Sequence, residues 1–224
     1  MKSKLLALNC LIFMMANGLF AQSYIGFLAS LNSGKFSGDT PRNFKYASKV
    51  NFSFGFGYDL QIKEDIYLSF LSEYVNGSSK LLHPKTVDDE EVYEDSIKLN
   101  FQLIALPVLM KLISDNKRFQ FTSGFELLYP IKLEADDSSE KTDLKNDINK
   151  LNLSMLFGIG YIIPVDKSKL VINITYSQGL TNLANNLNDP ESLLPRIRYT
   201  SFRFTLGWYL PVGKNRFSQT PLNE

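Results

Sequence analysis

The side chains best placed to do chemistry are eight ionisable residues: Asp59, Glu73, Lys98, Arg118, Glu126, Lys150, Lys169 and Arg203. Each alternates with aliphatic or aromatic neighbours, so each falls on the polar face of a period-two pattern. Enclosed together, charges of mixed sign pair, because a buried ion without a partner is costly. The expected product is an ion-pair and hydrogen-bond network that fills an interior. The functional alternative is a small polar conduit or ligand pocket built on the same residues.

Other candidates for chemistry are weaker. Asp88, Asp89, Glu90, Glu91, Glu94 and Asp95 form an acidic run whose oxygens suit a hard cation such as Ca²⁺. No Asp-x-Asp-x-Asp-Gly loop accompanies them, and they read as a solvated segment. His83, the sole histidine, stands beside Pro84. An acyl hydrolase needs a serine on that imidazole and an acid to orient it, and the sequence places no serine there. Gly-x-Ser-x-Gly, His-Glu-x-x-His and phosphate-cradling glycine loops are missing. The sequence therefore assigns no catalytic, cofactor-binding or metal-binding residue.

The elements that must hold the eight charges are strands. Val50, Phe52, Phe54, Phe56, Tyr58 and Leu60 share one face, and Asn51, Ser53, Gly55, Gly57 and Asp59 the other. The same rhythm runs through Ile97–Leu103, Phe119–Tyr129, Leu151–Ile163, Leu170–Tyr176 and Phe202–Leu210, with weaker strands at Tyr24–Leu31 and Ile66–Val75. That makes eight strands, many near the roughly 9–11 residues of a tilted membrane strand. The links alternate in length. Gln61–Asp65, Ile113–Lys117 and Val165–Ser168 are short, whereas Asn32–Lys49, Asn76–Asp95, Ile131–Asn149 and Thr181–Arg196 are long. Tight inner turns and long outer loops mark an outer-membrane barrel. Gly77-Ser78-Ser79, Asp136-Asp137-Ser138-Ser139 and Asn185-Asn186 mark the long links as irregular. The expected fold is an all-β, eight-stranded antiparallel up-and-down transmembrane barrel. Its greasy face points to lipid, and its charges and glycines point into a lumen too narrow to conduct.

Two finer expectations follow. Apolar positions are odd-numbered through Leu103, then even at Leu106, Val108 and Met110, so a one-residue bulge is expected near Ala105, beside Pro107. Tyr58, Tyr67, Tyr74, Tyr129, Tyr161, Tyr176, Trp208 and Tyr209 are expected at strand ends or on lipid faces as an interfacial girdle.

The chain's 24 basic and 23 acidic residues argue against nucleic acid as a partner. Lys2 and Lys4, the apolar run Leu5–Met15 and the small residues Gly18 and Ala21 read as a secretory signal cleaved after Ala21. The only cysteine, Cys10, lies within it. Residues 22–212 would then be the barrel and 213–224 a short tail.

Three segments resemble the PorT-like outer-membrane barrel proteins of Bacteroidetes. They are Gly26–Ser33 followed by Phe36-Ser37-Gly38-Asp39, the run Leu103–Lys111 around Pro107, and Phe157-Gly158-Ile159-Gly160-Tyr161. The resemblance spans nearly the whole chain after the signal. It implies the barrel fold and, for some members, a link to secretion and gliding, with no catalytic motif to carry over. The leading reading is a non-enzymatic barrel with a structural, interaction or secretion-accessory role through its long loops. Its partners would be outer-membrane lipid, lipopolysaccharide and envelope or secretion proteins. The rivals are a soluble lipocalin-like ligand carrier, which requires apolar residues to point inward, and a membrane-embedded lipid-modifying enzyme dependent on His83.

Overall fold

A computed structural model describes residues 23–38, 45–87, 90–137, 140–185 and 197–212. The expected signal segment with Cys10, and the tail after Val212, lie outside these residues. The described strands are β1 (Ser23–Gly38), β2 (Lys45–Gln61), β3 (Ile66–Val87), β4 (Glu90–Ile113), β5 (Phe119–Asp137), β6 (Glu140–Asp143), β7 (Asn152–Val165), β8 (Ser168–Gly179) and β9 (Ile197–Val212). All the pairings are antiparallel. β1 pairs with both β2 and β9, and β4 pairs with β5, so eight strands close into a ring. The short β6 only extends the outer end of β5, with Glu134 opposite Asp143. The fold is the eight-stranded antiparallel barrel that the alternation implies.

The alternation sets the two faces of the wall. In β2, Phe52, Phe54 and Phe56 are each more than half exposed, while Asn51, Ser53 and Asp59 between and beyond them are buried. β9 repeats this with Phe202, Phe204, Leu206 and Trp208 outside and Ser201, Arg203, Thr205 and Tyr209 inside. Outward apolar rows are the reverse of a soluble carrier barrel, which sets the lipocalin-like alternative aside.

The long links are more regular than their composition implies. β3 has 22 residues and β4 has 24, about twice what a tilted strand needs to cross a bilayer. Gly77, Ser78 and Ser79 lie inside β3, paired with Phe101, Asn100 and Leu99. Ladder pairing to a neighbour outweighs the weak local preference of glycine and serine for turns. At the opposite end the turns are tight, and two of them carry a non-glycine residue in the left-handed region, Lys117 (φ 56) and Asp166 (φ 48).

β4 corrects the expected bulge. Leu99, Phe101, Leu103, Ala105, Leu109 and Lys111 are all buried, so one parity holds along the strand. The irregularity facing this stretch lies on β5, where Gln102 pairs with Lys132 and Leu103 with Pro130, leaving Ile131 as the extra residue; on β4 itself the register shifts only earlier, at Ser96. Pro130 has no N–H for the ladder, which is where a bulge is tolerated. Pro107 instead stays in register opposite Glu126.

The inward apolar run of β4 has a partner. Leu99, Phe101, Leu103 and Ala105 join Phe36, Val75, Leu128, Leu133, Ile197 and Tyr199 in a core inside the long-loop end of the barrel. Phe36, Phe101 and Tyr199 meet edge to face, with centroids 5.5–5.9 Å apart. Leu144, Ile148, Leu183 and Ala184, from the links after β6 and β8, complete it as a cap. Backbone bonds tie these links together: Asn149 N–H donates to Leu183 O (2.7 Å), and Leu183 N–H to Ile197 O (2.7 Å). Asn149 Nδ2 also donates to Asn182 O at 2.9 Å.

Candidate functional site

Below the apolar core, two ion clusters fill the lumen. The first is centred on Arg203 of β9. Its Nη1 donates to Glu73 Oε1 on β3 (3.1 Å), and its Nη2 to Glu126 Oε1 on β5 (2.8 Å). Serine hydroxyls complete the carboxylates: Ser53 Oγ donates to Glu73 Oε2 and Ser177 Oγ to Glu126 Oε2, each at 3.2 Å. One guanidinium fork thus joins three strands across the barrel, a geometry that suits arginine and not lysine.

The second cluster lies nearer the short turns and inverts the charge ratio. Asp59 of β2 accepts from Lys111 Nζ of β4 (2.8 Å), Lys169 Nζ of β8 (3.4 Å) and Ser69 Oγ of β3 (2.7 Å). Lys111 also donates to the Tyr209 hydroxyl at 3.3 Å. The Lys169 ammonium sits 4.0 Å from the Tyr24 ring centroid, 4.8 Å from that of Tyr67 and 5.2 Å from that of Tyr209, within the range of cation–π attraction. Glycines make room for this aromatic cage. A Cβ on Gly26 would fall 2.5 Å from Tyr209 Cε1, and one on Gly207 would fall 2.7 Å from Tyr209 Cε2.

The first cluster holds two carboxylates and one cation, the second one carboxylate and two cations, so the six charges cancel. Between them lies a cavity of about 30 Å³ lined by residues of both, including Glu73, Lys111, Arg203 and Tyr209. That is room for a water, which needs roughly 10–15 Å³. Beyond Lys169 the lumen opens at the short-turn end into a vestibule of about 690 Å³. At the other end a cavity of about 10 Å³ lies within the apolar core, among Phe36, Phe101, Leu128 and Tyr199.

Of the eight residues expected in the lumen, Asp59, Glu73, Glu126, Lys169 and Arg203 lie there together. Lys98, Arg118 and Lys150 are exposed and take no part. Lys98 faces out because its neighbours Leu99 and Phe101 are drawn into the apolar core. Arg118 lies in the turn before β5, and Lys150 precedes β7.

Lys111 was missing from the expected set. Its signal was present, since it follows the outward row Leu106, Val108 and Met110 by odd parity. Tyr67 and Tyr209, expected in the interfacial girdle, are 7% and 3% exposed inside the lumen. Their even spacing with respect to Ser69 and Arg203 places them on the polar face. Tyr129, Tyr161, Tyr176 and Trp208 do face outward. The side chain of His83 lies outside the described residues, as do those of the acidic run Asp88–Asp95. Among the described residues no group of His, Cys, Asp or Glu is arranged to hold a metal.

Three kinds of comparison bear on this arrangement. Residues 20–185 match a family described as outer membrane protein beta-barrel domain. No curated protein matches the sequence. Solved structures of similar form include Ail, the attachment invasion locus protein of Yersinia pestis, at 13% identity and TM-score 0.47, with 85% of this chain and 99% of that one covered. Neisserial surface protein A gives 14% identity, TM-score 0.45 and coverage of 84% and 96%. OprG of Pseudomonas aeruginosa gives 9%, 0.45, and 88% and 99%.

Proposed function

This chain belongs to the outer membrane protein beta-barrel domain family, and on that premise we propose that it is a non-enzymatic, non-conducting scaffold of the bacterial outer membrane. Its role is to present the long-loop end of the barrel to envelope partners. The observation that carries this reading is the filled lumen. Arg203 bridges Glu73 and Glu126 across the barrel, and the apolar core around Phe101 seals the loop side. A conduit would need both to move. An interaction surface needs neither to move, and gains from the rigid support they give.

The strands support the same reading. β3 and β4 continue well beyond the length needed to cross a bilayer, holding their hairpin away from the lipid. Loops on a rigid scaffold are where such proteins carry function. A PorT-like, secretion-accessory role, and export by a signal cleaved after Ala21, are the specific forms this proposal takes.

The test is planar-bilayer recording on the purified, heat-modifiable protein. The expected result is no steady conductance step above the bare bilayer. Large, steady, voltage-independent steps would refute a filled lumen and with it the scaffold reading.

A further inference from the structure

The vestibule at the short-turn end has the features of a binding site independent of the loops. Its deepest described cation is Lys169, whose side chain is 10% exposed. Lys169 and Lys111 share one carboxylate, and Lys169 holds the longer contact, 3.4 Å against 2.8 Å. Lys111 and Ser69 both donate to Asp59 Oδ1, at 2.8 and 2.7 Å, and Lys169 meets Oδ2. The cluster's one excess positive charge is balanced by the Arg203 cluster behind it, and the ammonium nearest the opening has the longer contact with its counter-ion. The Lys169 ammonium has three donors and gives one to a described acceptor, Asp59, which leaves donors for an anion entering from the vestibule.

The walls restrict what that anion can be. Tyr24 and Tyr67 stand beside Lys169, and Ile113, Ile162, Pro164 and Pro211 line the same space. These are apolar and aromatic surfaces, which suit a ligand with an apolar body attached to its charged group. Lys117 and Lys167 stand at the rim with Glu64 and Asp166, so the rim charges balance, and Lys169 at the base, with Asp59 behind it, is the cation that faces the space. Lys117 is held by Glu64 at 3.4 Å and is exposed, which makes it a minor contributor. The opening faces along the barrel axis between the short turns. Outer-membrane barrels set their short turns in the periplasm, so in that orientation the vestibule opens to aqueous solution and not to the bilayer.

We infer that the vestibule binds a carboxylate with an apolar body, the oxyanion meeting Lys169 and the body lying against Tyr24, Tyr67 and the Ile–Pro wall. Two sources share this chemistry, the C-terminus of a periplasmic peptide and a small organic acid. At about 690 Å³ the space accommodates one or two residues of a peptide or one small acid.

The experiment is calorimetric titration of the full chain in detergent micelles with N-acetyl-leucyl-phenylalanine, its C-terminal amide, phenylacetate and acetate. Binding of the free-acid dipeptide is expected, with at least a tenfold loss on amidation and a similar loss in Lys169→Gln. Lys117→Ala is expected to change affinity less than threefold. If phenylacetate binds as tightly as the dipeptide, the ligand is a small acid. If the dipeptide wins by tenfold or more, it is a peptide terminus. Either result supports the site. Equal binding of acid and amide overturns the proposal. So does acetate matching the dipeptide, since the walls would then contribute nothing. Undiminished binding by a Lys169→Gln protein that keeps its heat-modifiable migration overturns it as well.

Discussion

The two halves of the lumen solve the same packing problem by opposite means. Towards the long loops, Phe36, Phe101, Leu128, Leu133 and Tyr199 fill the space with apolar volume, as a soluble core would. Towards the short turns, Arg203, Glu73, Glu126, Asp59, Lys111 and Lys169 fill it with paired charge. β4 serves both. Phe101 lies in the apolar half and Lys111 in the charged half, on the same face of the same strand. The apolar half lies where the links fold over and supply Leu144, Ile148 and Leu183 as a cap. Apolar packing needs cover from water, and among the described residues only that end is covered. The other end opens into a wet vestibule, and there charges and tyrosines tolerate the boundary.

Removing one member from each half separates the two means. Arg203→Met leaves Glu73 and Glu126 buried without a cation, and is expected to destabilise the barrel by about 4 kcal/mol, the usual cost of breaking a buried pair. Urea unfolding of the barrel in detergent, followed by loss of heat-modifiable migration, reads this out. Adding Glu73→Gln and Glu126→Gln should recover most of the loss, because the cost lies in the stranded charges. No recovery would mean that the arginine acts by packing.

Phe101→Ala should cost about 3 kcal/mol from the cavity it opens among Phe36 and Tyr199. No charge change elsewhere should rescue it. Rescue by the two glutamine substitutions would erase the distinction between the halves.

Lys98→Ala should change stability by less than about 0.5 kcal/mol, as an exposed residue does. A loss comparable to that of Arg203→Met would return Lys98 to the lumen.

Much of this was legible in the sequence, for a physical reason. Where lipid covers one face and a narrow lumen the other, burial follows strict alternation. Phe52, Phe54 and Phe56 against Ser53 and Asp59 need no further information. The closed ring and the short turns follow from the same rhythm. Legibility fails where the environments exchange. Alternation separates two faces but does not say which is inside, and near Leu99 and Phe101 the inside is apolar. Reading every greasy face as lipid-facing put Lys98 in the lumen and demanded a bulge at Ala105 to reconcile Leu103 with Leu106. The real bulge at Ile131 is on the neighbouring strand, beside Pro130. The cap explains the error, because Leu144, Ile148, Leu183 and Ala184 are brought to the lumen by long-range bonds between two links and from them to β5 and β9. Tyr67 and Tyr209 illustrate the same limit: residue type points to a membrane interface, whereas position on the strand points to the lumen.

Single-cysteine scanning along β4 tests the continuous facing of this strand most directly. In a Cys10→Ser background, cysteines at positions 101, 103, 104, 106, 108 and 109 would be treated with a lipid-phase thiol reagent in the folded barrel. The expected pattern is labelling at 104, 106 and 108 and protection at 101, 103 and 109. Labelling at 101 and 103 together with 106 and 108 would put the bulge back at Ala105 and contradict an apolar core inside the barrel.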